Sequence, residues 1–321
     1  MAVECKMGNS DKIIFKPFSL LIPVLVSLQL HAVPSLSNFT TFVFGDSLVD
    51  AGNNDYIFTL SKADSPPYGI DFKPSGGLPT GRFTNGRTIA DIVGESLGAK
   101  SYPPPYLAPN TEAEAIVKGI NYASGASGIM DKTGFFFVLP TTFLDFMISN
   151  LTLQLERLHE MGARKLIVVG VGPLGCIPFV RALNLLPSGK CSSTVNALIR
   201  AYNQRLKELL SRLNQEMGPD TIFVFANSYD VFTDILANYR RFGFENADEP
   251  CCGGYFQPFV CFKSGNESTS ASALCDDRSK YVFWDAYHPT EAANVIIAKQ
   301  LVDGDESVSF PINIRKLYNY N

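Results

Sequence analysis

Leu166-Ile167-Val168-Val169 is a continuous apolar run of strand length, and it decides the fold class of this 321-residue chain. A run without alternation predicts a strand that is buried on both faces. Apolar residues then recur at helical spacing from Val195 to Met217, Gly218 ends that segment, and Thr221 to Phe225 predicts the next strand. Buried strands joined by amphipathic helices are typical of parallel sheets covered by helices. We therefore expect a three-layer α/β/α fold around a parallel sheet.

The same pattern extends towards both ends of the chain. Thr41-Phe42-Val43-Phe44 predicts the first strand, which stops at Gly45, and Tyr281-Val282-Phe283-Trp284 predicts the last. Residues 61–87 are rich in Pro, Gly and Ser and predict a long surface loop. Because no linker interrupts the pattern, we expect one domain over residues 38–321. Further helices are predicted at 88–97, 151–161, 230–240 and 290–301.

A separate segment precedes this domain. Lysines stand before the apolar stretch Phe18 to Val33, and small residues follow it. This order is typical of a signal peptide, so we expect residues 1–37 to be removed and the protein to be secreted. Pro23 interrupts the stretch, which is shorter than the ~20 residues of a spanning helix. We therefore expect no stable membrane anchor, a retained signal anchor being the alternative.

The composition narrows the class of protein. Hydrophobic residues make up 46% of the chain and charged residues 18%, a balance typical of globular rather than disordered proteins. The net charge is -4, and no Lys/Arg run with interleaved aromatic residues occurs. We therefore expect no nucleic-acid partner, and we expect a monomer.

The cysteines indicate an oxidising compartment. Six remain once Cys5 leaves with the signal peptide, and an even number in loop-like sequence predicts three disulfides. We expect one bond across a short loop. We expect the other two bonds to link Cys251 and Cys252 to Cys261 and Cys275, because adjacent cysteines are poorly placed to bond each other, and the order of these two bonds stays open. A zinc site is the alternative, but the spacings are not paired C-x-x-C and no histidine lies near them. The short-loop pair is Cys176 and Cys191, and the other four are Cys251, Cys252, Cys261 and Cys275.

Acceptor sequons for N-linked glycans agree with export. They begin at Asn38, Asn150 and Asn266. Asn150 stands at the start of the helix predicted over 151–161. Sequons are common by chance, so they support the cysteine pattern rather than replace it.

Three side chains capable of acyl-transfer chemistry follow the first and last predicted strands. Active sites of parallel sheets form at the carboxyl ends of strands. Ser47 lies just past the first strand, and Asp285 and His288 lie just past the last. A serine hydroxyl becomes nucleophilic when an imidazole takes its proton, and a carboxylate orients that imidazole. Taken singly, each residue also fits a plain structural role, as a turn serine or a capping histidine.

The small number of histidines limits the choice of the catalytic base. The chain contains three histidines. His31 leaves with the signal peptide, and His159 is expected on the solvated face of a helix. His288 is therefore the candidate base.

Three longer stretches carry a resemblance to a known family. Phe42 to Asn54, Ile120 to Ile129 and Asp285 to Glu291 closely resemble the first, second and last blocks of the plant GDSL esterase/lipase family, which belongs to the SGNH hydrolases. Further similar stretches run through nearly the whole mature chain in the family's order. They are Gly81 to Arg87, Val171 to Cys176 and Cys251-Cys252.

The resemblance implies a flavodoxin-like SGNH fold and hydrolysis of small-molecule or lipid carboxylic esters without a cofactor or metal. It assigns the nucleophile to Ser47 and the acid/base pair to Asp285 and His288. It also assigns backbone N–H donors of an oxyanion hole to Ser47 and Gly125, with Gly128 as the runner-up. Glycine suits that role because its backbone can approach a substrate closely.

One block of the family is missing. The third block, a strand ending in Gly-x-Asn-Asp, supplies an asparagine side chain to the oxyanion hole in the family. Gly134 to Asn150 contains no such motif and is shorter than the ~30 residues that a strand-plus-helix unit needs. We therefore expect the domain to be internally shortened between about 130 and 150, with Asn53 or Asn54 as the first candidate substitutes.

The sequence thus predicts a secreted serine ester hydrolase. An α/β-hydrolase is disfavoured because Ser47 lacks the G-x-S-x-G elbow. Two alternatives stay open. One is a catalytically impaired secreted protein that binds lipids or glycans, which the missing block favours, and the other is a carbohydrate deacetylase.

Overall fold

The computed structural model describes residues 40–109, 111, 119–129, 140–254, 261 and 274–320, all within the unit Phe39–Asn321. The predicted signal peptide and the sequons at Asn38 and Asn266 lie outside the described residues. The β-strands are Thr41–Val43 (β1), Gly119–Asn121 (β2), Lys165–Val169 (β3), Ile222–Ala226 (β4), Asn246–Pro250 (β5), Tyr281–Phe283 (β6) and Ser309–Phe310 (β7). The α-helices are Ile89–Ser96 (α1), Pro140–Glu160 (α2), Pro178–Leu183 (α3), Ser193–Glu216 (α4), Ser228–Ala237 (α5), Glu291–Asp303 (α6) and Ile314–Tyr318 (α7).

The strands pair mainly in parallel. β1 pairs with β2, β3 pairs with β4 in register from Lys165 opposite Ile222, and β5 pairs with β6. β7 adds an antiparallel edge to β4. The α/β fold class is confirmed, but in the described residues the strands form three separate ladders rather than one continuous sheet.

Side-chain caps fix where the main helices begin. Thr88 and Asp91 form a reciprocal capping box at the start of α1. Ser192 accepts a hydrogen bond from the Val195 N–H at the start of α4, and Thr290 caps α6 in the same way. Each cap satisfies a backbone donor that the helix leaves without a partner, and is worth about 1 kcal/mol.

β4 separates two hydrophobic cores. Phe223 and Phe225 belong to the core formed with α2 and α4, where Leu206 and Leu213 are buried. Burying each such leucine contributes about 1.5–3 kcal/mol. Ala226, next along the strand, belongs instead to the core formed with α5, α6 and β6. Helices therefore cover both faces of β4, as a three-layer arrangement requires.

β3 departs from the expectation of a fully buried strand. Leu166 is buried, but Ile167 and Val169 are 38% and 47% exposed. On β1, Phe42 and Phe44 are 49% and 54% exposed. Each of these strands has a described strand partner on one side alone, β4 for β3 and β2 for β1, so part of its apolar surface lacks cover.

The helix predicted over 151–161 is longer than expected. α2 begins at Pro140, because Phe143, Leu144 and Met147 extend the apolar stripe that packs on the α4 core. Asn150 therefore lies inside a helix rather than at its start, and its side-chain amide donates to the Phe146 carbonyl. In the described residues no helix combines the length and apolarity that crossing a membrane requires.

Candidate active site

Ser47 lies in a tight turn directly after β1. The Asp46 carbonyl accepts hydrogen bonds from the Val49 and Asp50 N–H groups, and the Asp46 side chain accepts from the Leu48 N–H at 3.0 Å. These bonds close the turn and present the half-buried Ser47 side chain at the end of the strand.

Asp285 and His288 lie in a second closed turn, after β6. Asp285 Oδ1 accepts hydrogen bonds from the Tyr287 and His288 N–H groups, each at 2.8 Å. The Trp284 N–H donates to the His288 carbonyl at 2.7 Å. The backbone therefore folds the imidazole back onto the carboxylate three residues before it.

The two turns meet through a continuous chain of hydrogen bonds. Ser47 Oγ lies 2.8 Å from His288 Nε2, and His288 Nδ1 lies 2.8 Å from both carboxylate oxygens of Asp285. A carboxylate only accepts, so Nδ1 carries the proton and Nε2 is left to accept from the serine hydroxyl. Asp285 is 1% exposed and His288 is 8% exposed, so the contact between them is shielded from water, whereas the Ser47 side chain is half-buried.

The electrostatics favour His288 as a proton acceptor. Burial lowers the pKa of His288, but Asp285 and then Asp46 outweigh that effect, and the pKa lies above its ordinary value. The imidazolium that forms on proton transfer is therefore stabilised. The neutral, accepting form is lost as the pH falls through this raised pKa.

Gly125 lies in the loop after β2, and the N–H of its neighbour Ser124 donates to the Gly45 carbonyl, two residues before Ser47. The Gly125 N–H itself is already engaged. It donates to Asp50 Oδ2 at 2.9 Å. A side chain is excluded at this position, because a Cβ would approach Asn54 Nδ2 and the Phe83 ring to 2.7 Å. Gly128 is exposed in the same loop. Among the described residues, no acceptor is bonded to the Ser47 N–H.

Asn53 and Asn54, the first candidates should another side chain replace the missing asparagine, are unsuited to that task. Asn53 Nδ2 donates to the Asn121 and Ala123 carbonyls, both at 2.8 Å. Asn54 Nδ2 donates to Ser61 and Gly125 carbonyls at 2.7 and 2.9 Å. Each amide has two N–H donors, so all four are used in bonds to the end of β2, the loop after it and the Ser61 carbonyl.

Tyr68 is a residue of the site that sequence reasoning missed. It lies within 61–87, which was expected to be a surface loop, yet it is 1% exposed. Its hydroxyl donates to Asp285 Oδ2 at 2.9 Å. The segment turns inwards because Tyr68 and Phe83 pack against Trp284 and the cysteines after β5. Nothing in the local Pro-Pro-Tyr pattern indicates a partner so distant along the chain.

The cysteines pair as three disulfides in the structure. Cys176 bonds Cys191, the short-loop pair expected from the sequence. The order left open for the other four is Cys251 with Cys275 and Cys252 with Cys261. The Cys251 and Cys252 N–H groups donate to the Phe283 and Trp284 carbonyls, so this pair braces the strand that leads to Asp285.

Comparison with known proteins gives one consistent result. Residues 139–301 match the family model of GDSL-like lipase/acylhydrolase, a range that includes Asp285 and His288 but begins after Ser47. The Arabidopsis thaliana protein named GDSL esterase/lipase At5g41890 is 54% identical in an alignment of 345 positions that covers 87% of this chain and 93% of the relative. GDSL esterase/lipase At3g50400 is 44% identical, with 86% and 90% covered, and GDSL esterase/lipase 7 is 35% identical, with 86% and 91% covered, both from the same plant.

Proposed function

We propose a catalytic mechanism for this chain, which belongs to the GDSL-like lipase/acylhydrolase family and is a carboxylic ester hydrolase. In this mechanism Ser47, His288 and Asp285 transfer the acyl group of the ester to water. The observation that carries this proposal is the unbroken contact from Ser47 Oγ through His288 to Asp285, with each step at 2.8 Å. That geometry is the one in which a serine becomes nucleophilic.

The reaction proceeds in two acyl transfers. Ser47 Oγ attacks the carbonyl carbon while its proton moves to His288 Nε2, and the tetrahedral intermediate then expels the alcohol, which takes that proton. Water attacks the acyl-serine ester and passes a proton to the same nitrogen. Collapse of the second intermediate releases the acid and returns the proton to Ser47 Oγ. Asp285 holds the imidazole and stabilises its charge throughout.

We assign stabilisation of the oxyanion to the Ser47 N–H and to a backbone N–H of the loop after β2. The family resemblance favours Gly125 as the second donor. Its contact with Asp50 competes with that role, so Gly125 acts there if its N–H is shared with the substrate. Gly128 in the same loop is the other candidate donor.

We further propose that the domain is internally shortened, and the alignment lengths support this. The alignment with At5g41890 has 345 positions, whereas 87% of 321 residues is about 279. About 66 positions of the relative therefore stand opposite no residue of this chain. The shortening favours the second candidate function, which is binding of lipid or glycan ligands with impaired turnover.

The protein is proposed to act outside the cell, on small-molecule or lipid esters. The signal-like N-terminus and the three paired disulfides support secretion, because disulfides persist in oxidising compartments. The names of the relatives support an ester substrate without specifying its acyl chain.

Covalent labelling tests the nucleophile. A fluorophosphonate probe is expected to modify Ser47, because the probe needs a serine that a base activates. Ser47→Ala should abolish both labelling and turnover of p-nitrophenyl acetate. Ser279→Ala, which removes a serine hydroxyl that bonds the Asp277 side chain, is the control and should retain both.

Two outcomes would contradict the assignment. Labelling of another serine would show that the nucleophile lies elsewhere. A folded protein that neither reacts with the probe nor turns over ester would favour the binding function.

A further inference from the structure

Tyr68 contacts Asp285, the carboxylate of the candidate triad. Its hydroxyl donates to Asp285 Oδ2 at 2.9 Å, and both side chains are 1% exposed. The phenol oxygen also lies 3.5 Å from the Cys261 N–H, which donates to it. The hydroxyl is therefore held between a backbone donor and the carboxylate.

The Tyr68 ring is fixed by its neighbours. It packs edge-to-face against Trp284, with ring centroids 6.1 Å apart, and against Phe83, with centroids 6.2 Å apart. Phe83 in turn lies 5.3 Å from the His288 ring, measured between centroids. A phenol packed in this way has little freedom to turn away from Asp285.

The phenol keeps its proton. Burial and then the negative charge of Asp285 raise the pKa of Tyr68 well above its ordinary value. At neutral pH the group therefore donates a hydrogen bond and carries no charge.

From this geometry we propose that Tyr68 is a positioning residue of the hydrolase site, which acts by holding Asp285 Oδ2 and dispersing its negative charge. The inference rests on the proposed role of Asp285. Oδ1 is bound by the two backbone N–H groups of the turn, so Tyr68 supplies the donor from outside that turn. Through Asp285 it sets how strongly the imidazolium of His288 is stabilised.

The charge distribution gives the effect a definite sign. The charged groups that face His288 are Asp285 and Asp46, and Tyr287 and Tyr68 lie beside Asp285. A hydrogen bond to a carboxylate disperses its charge, so removing the Tyr68 hydroxyl leaves more negative charge on Asp285. Because the turn N–H groups still hold Asp285 in place, the pKa of His288 should then rise.

Two variants with opposite expected shifts test this. Tyr68→Phe should raise the apparent pKa of His288 by about 0.5–1 unit, so kcat/KM falls about threefold to tenfold below that pKa and little above it. Replacement of Tyr68 with 2,3-difluorotyrosine, a stronger donor of nearly equal size, should shift the same pKa downwards. Tyr202→Phe is the matched control, because Tyr202 is 3% exposed but lies on α4 in the other core. It should leave the pKa unchanged.

The pKa is read directly by NMR titration of the His288 ring protons in a His159→Gln background. This readout needs no turnover, so an inactive protein would overturn the proposed function without obscuring the role of Tyr68. If Tyr68→Phe does not fold, the fluorinated protein decides the matter. An unchanged pKa in the folded variants, or shifts of the same sign in both, would refute the proposal.

Discussion

At the scale of single residues, the carboxylate of Asp55, a few residues after the turn that holds Ser47, is charged in an unfavourable environment. Its Oδ1 is buried, and no described residue donates to it. Burial, then repulsion from Asp64 and Asp50, raises the pKa of Asp55 to about 6, against the opposing charge of Lys62. In the unfolded chain the group ionises near its ordinary value of 3.8.

Asp55→Asn is therefore expected to stabilise the protein at neutral pH. A pKa raised by folding contributes stability below about pH 4, and that stability is lost as the pH rises to about 6. Because solvent partly screens the half-buried carboxylate, the unfolding free energy of the variant should rise by only about 1–2 kcal/mol at pH 7.5, and this gain should vanish near pH 3.5.

Urea unfolding at the two pH values measures this difference. Asp220→Asn, at an exposed turn, is the control and should change neither value. A gain of equal size at both pH values would show that the charge of Asp55 is not its cause.

At the scale of structural elements, one carboxylate joins the loops that follow β1 and β2. Asp50 is fully buried, its Oδ1 accepts from the Gly52 and Asn53 N–H groups, and its Oδ2 accepts from the Gly125 N–H. Asn53 and Asn54 add side-chain donors to the same loop. The position of Gly125 relative to Ser47 therefore depends on Asp50.

Asp50→Asn should loosen that connection. The amide keeps an oxygen for Gly52 and Asn53 but turns an NH₂ group towards the Gly125 N–H, so two donors face each other. We expect a loss of about 1–3 kcal/mol in unfolding free energy and a lower kcat in the folded protein.

Urea denaturation and kcat for p-nitrophenyl acetate measure the two effects. Asp91→Asn is the matched control, because Asp91 is also buried but pairs with Arg82 and Thr88. It should lose stability while kcat is retained. An unchanged kcat in Asp50→Asn would show that Asp50 does not affect catalysis at the candidate active site.

At the scale of the whole molecule, the described strands do not close into one sheet. β1 and β3 each lack a described neighbour on one side, and their phenylalanine, isoleucine and valine side chains are partly exposed. Within the described ranges, no second strand supplies hydrogen-bond partners to the backbone groups at these edges. The proposed shortening accounts for both observations, because it removes a strand-plus-helix unit.

Restoring the missing segment should raise both activity and stability. A chimera that takes the segment between positions 129 and 140 from At5g41890 is expected to gain a side-chain oxyanion donor, and the absence of one such donor costs about 10²–10³ in kcat. The chimera should also bind less of a hydrophobic dye than this chain, because its strand edges are covered.

The comparison requires that both forms are folded, which circular dichroism verifies. The quantity compared is kcat/KM on a short acyl ester. Equal kcat/KM values would show that the oxyanion hole of this chain is complete without the segment.

The sequence by itself determined the fold class and the three residues that the structure brings into contact. Apolar runs and helical stripes are local patterns, and the carboxyl ends of parallel strands share one edge, so Ser47 and His288 could be placed together without coordinates. The Cys176–Cys191 disulfide could also be expected, because these two cysteines stand apart from the other four and close a short loop.

Only the tertiary structure decided the contacts between distant segments. Tyr68 and Asp285 are 217 positions apart, and Asp50 and Gly125 are 75 apart, so no spacing in the sequence indicates either hydrogen bond. The exposed edges of β1 and β3 depend on which strands pair, and the order of the later disulfides depends on which of the four cysteines between positions 251 and 275 meet in space. Which acceptor a donor bonds depends on which groups are close in space. Packing of the cores decides which distant segments become close.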